Sequence, residues 1–136
     1  MLIFLSHDGY SLCDQIYTMD LSTRVTKLVS TGLGVTTCAY FEHPKCENII
    51  YAFTYSGGSS FPPKPDYSMG YVWKLYPDYD IFKYTKDGKV LEQMTESPSY
   101  DAKATVASGG SNMLYTSIVN GDLEVWSMNI DGSNKT

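Results

Sequence analysis

Apolar and polar positions alternate along this chain in short runs, with no stretch in which apolar residues recur every three or four positions. Three runs share one pattern of polar, aliphatic, aromatic, small or polar, large and polar residues. They are Gln15-Ile16-Tyr17-Thr18-Met19-Asp20, Asp80-Ile81-Phe82-Lys83-Tyr84-Thr85 and Glu124-Val125-Trp126-Ser127-Met128-Asn129. Such alternation puts every second side chain on one face of a β-strand. Each run leads into turn residues: Ser22-Thr23, Asp87-Gly88 and Asp131-Gly132. An Asp-Gly pair after a strand favours the positive φ angles of a tight hairpin. Further short strands are predicted over 2–4, 26–29, 36–41, 48–54, 91–95, 102–107 and 113–117, about ten in all, grouped as three, four and three. The connections Ser108-Gly109-Gly110-Ser111-Asn112 and Asn120-Gly121 are turn chemistry. No segment predicts a helix.

The second and third copies begin at 80 and 124, 44 residues apart. A four-stranded propeller blade repeats every ~40–45 residues. The first two copies lie 65 residues apart, so the middle unit carries roughly 21 residues beyond that period. The predicted fold is therefore all-β, a partial β-propeller of about two and a half four-stranded blades. Its units are a partial blade over 1–30, a full blade over 31–96 with an insertion at 56–79, and a partial blade over 97–136. A closed propeller has about 4–8 blades, so a segment of a longer protein, association of copies, or an open arc are all compatible with this length. Unpaired strand edges favour the first two.

Composition narrows the function classes. Twelve tyrosines dominate the 14% aromatic content, in keeping with strands. A net charge of −5 argues against a nucleic-acid partner, which requires clustered cations. No apolar run approaches the ~20 residues of a membrane span, and residues 1–5 are too short for the core of a signal peptide. Cys13, Cys38 and Cys46 leave one thiol over in a monomer. Cys13 and Cys38 are expected at corresponding strand ends of neighbouring blades, either bridged or as small buried apolar residues. His43 and Cys46 have a His-x-x-Cys spacing but lack evident companions to complete a metal site, so no metal or cofactor is expected. Ser6-His7-Asp8 is adjacent in sequence, whereas triads assemble from distant segments. No nucleophile elbow, zinc-protease motif, phosphate loop or dinucleotide fingerprint occurs, and the chain is not expected to be an enzyme.

At the repeated runs the chain resembles the TolB-like propeller-repeat family, whose blades carry a strand of the form Asp-Ile-Tyr-Val-Met-Asp followed by Asp-Gly. Residues 124–134 are the nearest copy, and Tyr100-Asp101-Ala102-Lys103-Ala104-Thr105-Val106 resembles the stretch that opens the following blade. The consensus Ser-Pro-Asp-Gly-Lys is replaced by Glu42-His43-Pro44-Lys45-Cys46-Glu47-Asn48 and by 108–112. The segment 62–82 is similar to an insertion in some exported bacterial members. The resemblance implies a non-catalytic scaffold for a protein or ligand, periplasmic or secreted. Alternatives are a propeller accompanying a secreted peptidase or hydrolase domain outside this chain, and a carbohydrate-binding module using Trp73 and its tyrosines.

The insertion is the one stretch the fold does not require. Pro62, Pro63 and Pro65 stiffen it, and Phe61, Tyr67, Tyr71, Trp73, Tyr76 and Tyr79 supply the side chains most enriched in binding hot spots. With Lys64 and Asp66 these form the candidate binding set for a protein partner, a peptide or a glycan. A cap folded back over the blade, or disorder, are the competing readings. Asp66, Asp78, Asp80 and Asp101 are candidate calcium ligands, or solvated turn residues and backbone caps.

Overall fold

The computed structural model describes residues 1–7, 13–58, 61–86 and 91–136. It contains ten strands: β1 (Leu2–Ser6), β2 (Gln15–Met19), β3 (Thr26–Leu28), β4 (Thr36–Phe41), β5 (Ile49–Phe53), β6 (Asp80–Tyr84), β7 (Leu91–Gln93), β8 (Asp101–Val106), β9 (Asn112–Ser117) and β10 (Glu124–Asn129). One 3-10 turn spans Tyr55–Gly57. The strands form three antiparallel sheets in the orders β1-β2-β3, β4-β5-β6-β7 and β8-β9-β10. These are the three, four and three strands expected. No helix of the described residues is long and apolar enough to cross a membrane. The turn proposed at Asp87-Gly88 lies outside the described residues.

The sheets stack face to face. The middle sheet is covered on both sides, and β5 shows why its sequence is Ile-Ile-Tyr-Ala-Phe without a polar break. Ile49, Tyr51 and Phe53 point to one face and pack with Ile16 and Val29 of the first sheet. Ile50 points to the other and packs with Met113, Tyr115 and Met128 of the third sheet. Ala52 joins Ala102, Tyr79 and Tyr100 in a third cluster. A strand buried on both faces reads as a continuous apolar run. The flanking sheets are covered on one face, and their far faces leave Leu2, Leu114 and Val125 exposed.

Two buried polar clamps repeat between sheets. In the first sheet the Ser30 hydroxyl accepts from the Ile16 amide at 3.0 Å and donates to Gln15 Oε1 at 2.8 Å. In the middle sheet the Thr95 hydroxyl accepts from the Ile81 amide at 2.9 Å and donates to Asp80 Oδ1 at 3.1 Å. Both hydroxyls anchor the chain leaving the outermost strand, satisfying groups that would be costly to bury unpaired.

The inner strands repeat as well. The ladders β4–β5 and β8–β9 each shift register once, between Thr37 and Tyr40 and between Ala102 and Thr105. Within each shift a non-glycine residue takes a positive φ, Cys38 at 53° and Lys103 at 58°. These are bulges that bend the strand. Cys38 thus corresponds to Lys103, and Cys13 precedes β2. The two cysteines do not occupy corresponding strand ends, and with Cys46 they remain thiols. The hairpin turns after β4 and β8 meet: His43 Nδ1 lies 3.2 Å from the Ser108 carbonyl oxygen. Gly110, at φ 70°, leaves no room for a Cβ against the His43 carbonyl.

Three predictions follow from this packing. Ile50→Ala should cost about 2–5 kcal/mol, read as a shift in the urea midpoint, because the cavity opens between two sheets. The Tyr51 hydroxyl is buried without a hydrogen-bond partner among the described residues, so Tyr51→Phe should be neutral or stabilising by about 1 kcal/mol. In the β2–β3 turn Asp20 accepts from the Ser22 amide and hydroxyl at 2.8 and 2.5 Å and from the Thr23 amide at 3.0 Å. Those bonds, the Ser22 hydroxyl foremost, lower its carboxyl to about 2. A lowered carboxyl stabilises the fold above the unfolded-state pKa and loses that contribution as pH falls. Asp20→Ala should therefore lower the urea midpoint at pH 7, and the gap to wild type should close as pH falls through about 2.

Candidate functional site

The insertion leaves β5 through the Tyr55–Gly57 turn and returns at β6. Its base closes tightly: a Cβ on Gly57 would sit 2.7 Å from Asp78 Cβ. Tyr79 is the anchor, buried and edge-on to Tyr100 with ring centroids 5.8 Å apart at 80°. Burial raises the Tyr79 hydroxyl above its usual range, with the neighbouring Tyr100 adding to the shift. Tyr76 is half-buried against Tyr79, centroids 6.1 Å apart, and its hydroxyl donates to the Pro63 carbonyl at 2.8 Å. That bond ties the descending arm of the loop to the proline-rich ascending arm. Phe61 and Pro62 are half-buried beside it, near Tyr76 and Pro77 in a cavity of about 350 Å³.

The tip is ordered by short-range contacts. Asp66 accepts from the Ser68 amide at 2.9 Å and the Ser68 hydroxyl at 3.0 Å, which lowers its carboxyl. The Gly70 amide donates to the Tyr67 carbonyl at 3.0 Å. This turn brings Tyr67 and Tyr71 into a parallel stack, centroids 5.9 Å apart at 10°. Trp73 is held from outside the loop: Lys103 Nζ, carried on the β8 bulge, lies 4.8 Å from its ring centroid. Lys74 Nζ sits 5.4 Å from the Tyr76 ring. A cation over an aromatic face is worth ~0.5–1 kcal/mol at exposed sites.

Tyr67, Tyr71, Val72 and Trp73 thereby line a groove of about 250 Å³ against Leu5 of β1 and Thr36 of β4. The loop lies across the inner-strand residues Leu5 and Thr36. Its aromatics nonetheless stay open: Tyr67, Tyr71 and Trp73 are 51%, 78% and 56% exposed. Lys64 is also exposed, and it acts electrostatically on Cys13, whose thiol is pushed up by burial first and by Asp14 second. Of the eight candidate residues, Lys64, Asp66, Tyr67, Tyr71 and Trp73 are exposed, and Phe61 and Tyr76 are half-buried between the arms. Tyr79 is the loop's buried pivot.

Among the described residues the four acidic residues do not form one cluster, although Asp80 and Asp101 are neighbours. Asp66 belongs to the loop tip, whereas Asp80 and Asp101 are strand residues, 2% and 3% exposed, and not solvated turn formers. Asp80 accepts from Ser56, Gln93, Thr95 and the Ser97 amide. Burial raises its carboxyl despite these bonds, and the nearby Asp101 raises it further. Among the described residues no three of His, Cys, Asp and Glu are placed to share a metal ion. His43 faces the Ser108 carbonyl, and the exposed Cys46 faces the Pro44 carbonyl. Asp8 of the Ser6-His7-Asp8 run lies outside the described residues.

Sequence reasoning missed Lys103 and Tyr100 as parts of this site. The signal for Lys103 was a charge inside an otherwise alternating strand, and it becomes legible only once β8 is aligned with β4.

No family model matches the chain, and no curated protein matches it. Among solved structures, the putative TolB from Agrobacterium tumefaciens superposes with a TM-score of 0.75 and 17% identity, covering 99% of this chain and 43% of that one. TolB from Acinetobacter baumannii gives a TM-score of 0.71 and 20% identity over 98% of this chain and 28% of that one. A nidogen/laminin complex gives 0.61 and 11% identity over 90% and 39%. The chain thus spans less than half the length of each of these three chains. At these identities the likeness establishes the architecture: three antiparallel sheets matching part of the TolB β-propeller.

Proposed function

We propose that the chain is a non-catalytic propeller segment that serves as a binding scaffold, and that the loop over 61–79 docks an extended peptide segment of a partner protein. The observation that carries this reading is the joint exposure of Tyr67, Tyr71 and Trp73 on a loop pinned at both arms by Tyr76, Tyr79 and Lys103. Large apolar side chains held open on a rigid base present contact area at low entropic cost, which is what peptide and protein recognition exploits. Their flat faces, with Lys64, Lys74 and Asp66 at the margin, fit a mixed apolar and polar peptide. One solved structure of this fold comes from a nidogen/laminin complex, a protein–protein assembly, in keeping with a protein partner. The exported setting implied by the TolB likeness belongs to the same proposal.

Panning a random-peptide library on the 136-residue chain tests it. Enriched peptides should bind wild type and lose at least tenfold in affinity to a Tyr71→Ala/Trp73→Ala variant with an unchanged unfolding midpoint. Peptides that bind the variant as well as wild type would contradict the loop assignment. Wild-type binding to a glycan array, abolished by Trp73→Ala in the absence of any peptide enrichment, would replace the peptide with a sugar.

A further inference from the structure

A second site lies away from the loop, between the middle and third sheets, and comparison of the two repeats exposes it. In the middle sheet Phe53 stands opposite Thr36, and Tyr51 opposite Phe82. In the third sheet the corresponding pairs are Ser117 opposite Asp101, and Tyr115 opposite Trp126. Phe53 fills the space beside the middle sheet, its ring 5.5 Å from that of Phe82. Ser117 cannot. A cavity of about 450 Å³ opens there, lined by Thr95, Ser97, Asp101, Tyr115, Ser117 and Trp126.

The exchange of Thr36 for Asp101 changes its chemistry. The Thr36 hydroxyl is satisfied by the Asp14 carbonyl at 3.0 Å. Asp101 keeps the matching backbone bond, its amide donating to the Tyr79 carbonyl at 2.8 Å. Its Oδ1, however, is buried with no hydrogen-bond partner among the described residues. Leaving a buried carboxylate oxygen unpaired is costly, and the Asp101 side chain lines the open cavity, which points to an absent partner there. The neighbouring Asp80 is already fully bonded and adds negative charge behind it. Tyr115 feels the same field: burial, then the Asp101 charge, raises its hydroxyl to about 12. Glu96 and Lys135 complete the charged lining, and Lys135 is exposed and leaves Asp101 Oδ1 unpaired. The missing partner must be a donor. The aromatic walls favour a cation over a neutral donor, and Met94 and Val119 line the same cavity as an apolar surface for a stem.

We propose that this cavity binds a primary ammonium group on an aliphatic stem, paired with the Asp101 carboxylate and walled by Trp126 and Tyr115. A lysine side chain of a peptide and a free alkylamine share that chemistry. Calorimetric titration of the chain with Nα-acetyl-lysine methylamide and with n-butylammonium chloride tests it. Both should bind, and the norleucine analogue of the former, which lacks only the ammonium, should bind at least tenfold more weakly. Tighter binding of the lysine amide than of butylammonium would assign the site to peptides, and equal binding to free amines. Asp101→Asn should lower affinity at least tenfold. Ser117→Phe restores the side chain that the middle sheet carries at this position, and it should abolish binding while retaining the unfolding midpoint. Equal binding of the norleucine analogue, undiminished binding to Asp101→Asn, or amine binding that survives Ser117→Phe would each overturn the proposal.

Discussion

The structure depends on a strand that is buried on both faces. β5 sends Ile49, Tyr51 and Phe53 into the packing with the first sheet and Ile50 into the packing with the third. Each fully buried aliphatic or aromatic side chain contributes ~1.5–3 kcal/mol, so this one pentapeptide couples three sheets that would otherwise be weak three- or four-stranded meanders. A three-stranded sheet with one apolar face is near the lower limit of independent stability. The flanking sheets are therefore held by the middle one.

The repeat that builds the stack also determines where sites arise. The paired clamps at Ser30 and Thr95 and the bulges at Cys38 and Lys103 show neighbouring units using the same backbone with different side chains. Departures from that repeat are where the surface acquires character. The β8 bulge places Lys103 over Trp73. The long connection between β5 and β6 lies across the inner-strand residues Leu5 and Thr36 and exposes its aromatics there. Replacement of a phenylalanine by Ser117, and of a threonine by Asp101, turns a filled inter-sheet space into a polar cavity.

Much of the fold was legible because strands announce themselves by alternation, and because Gln15–Met19, Asp80–Tyr84 and Glu124–Asn129 repeat their apolar and polar order. The runs 36–41 and 102–107 could be matched as equivalent strands, but the match of Cys38 with Lys103 within them was not legible. A bulge breaks the two-residue period, and Cys38 and Lys103 share no chemistry. The burial of Asp80 and Asp101 was not legible, because acidic side chains are seldom buried and both read as calcium ligands, turn residues or caps although Asp80 heads a predicted strand. The loop was recognisable as an insertion from the spacing of the repeats. Its geometry rests on contacts between distant residues, such as Tyr76 with Pro63 and Tyr79 with Tyr100, for which a local pattern carries no signal.

Native-state amide hydrogen exchange tests the central claim most directly, because it reports the opening free energy of each strand separately. If the middle sheet is the doubly buried element on which the others lean, the amides of Ile49–Phe53 and Asp80–Tyr84 exchange slowest, near the limit set by global unfolding, while those of β1, β3 and β10 open locally and exchange faster. Exchange from β5 as fast as from β1 or β10 would contradict the account.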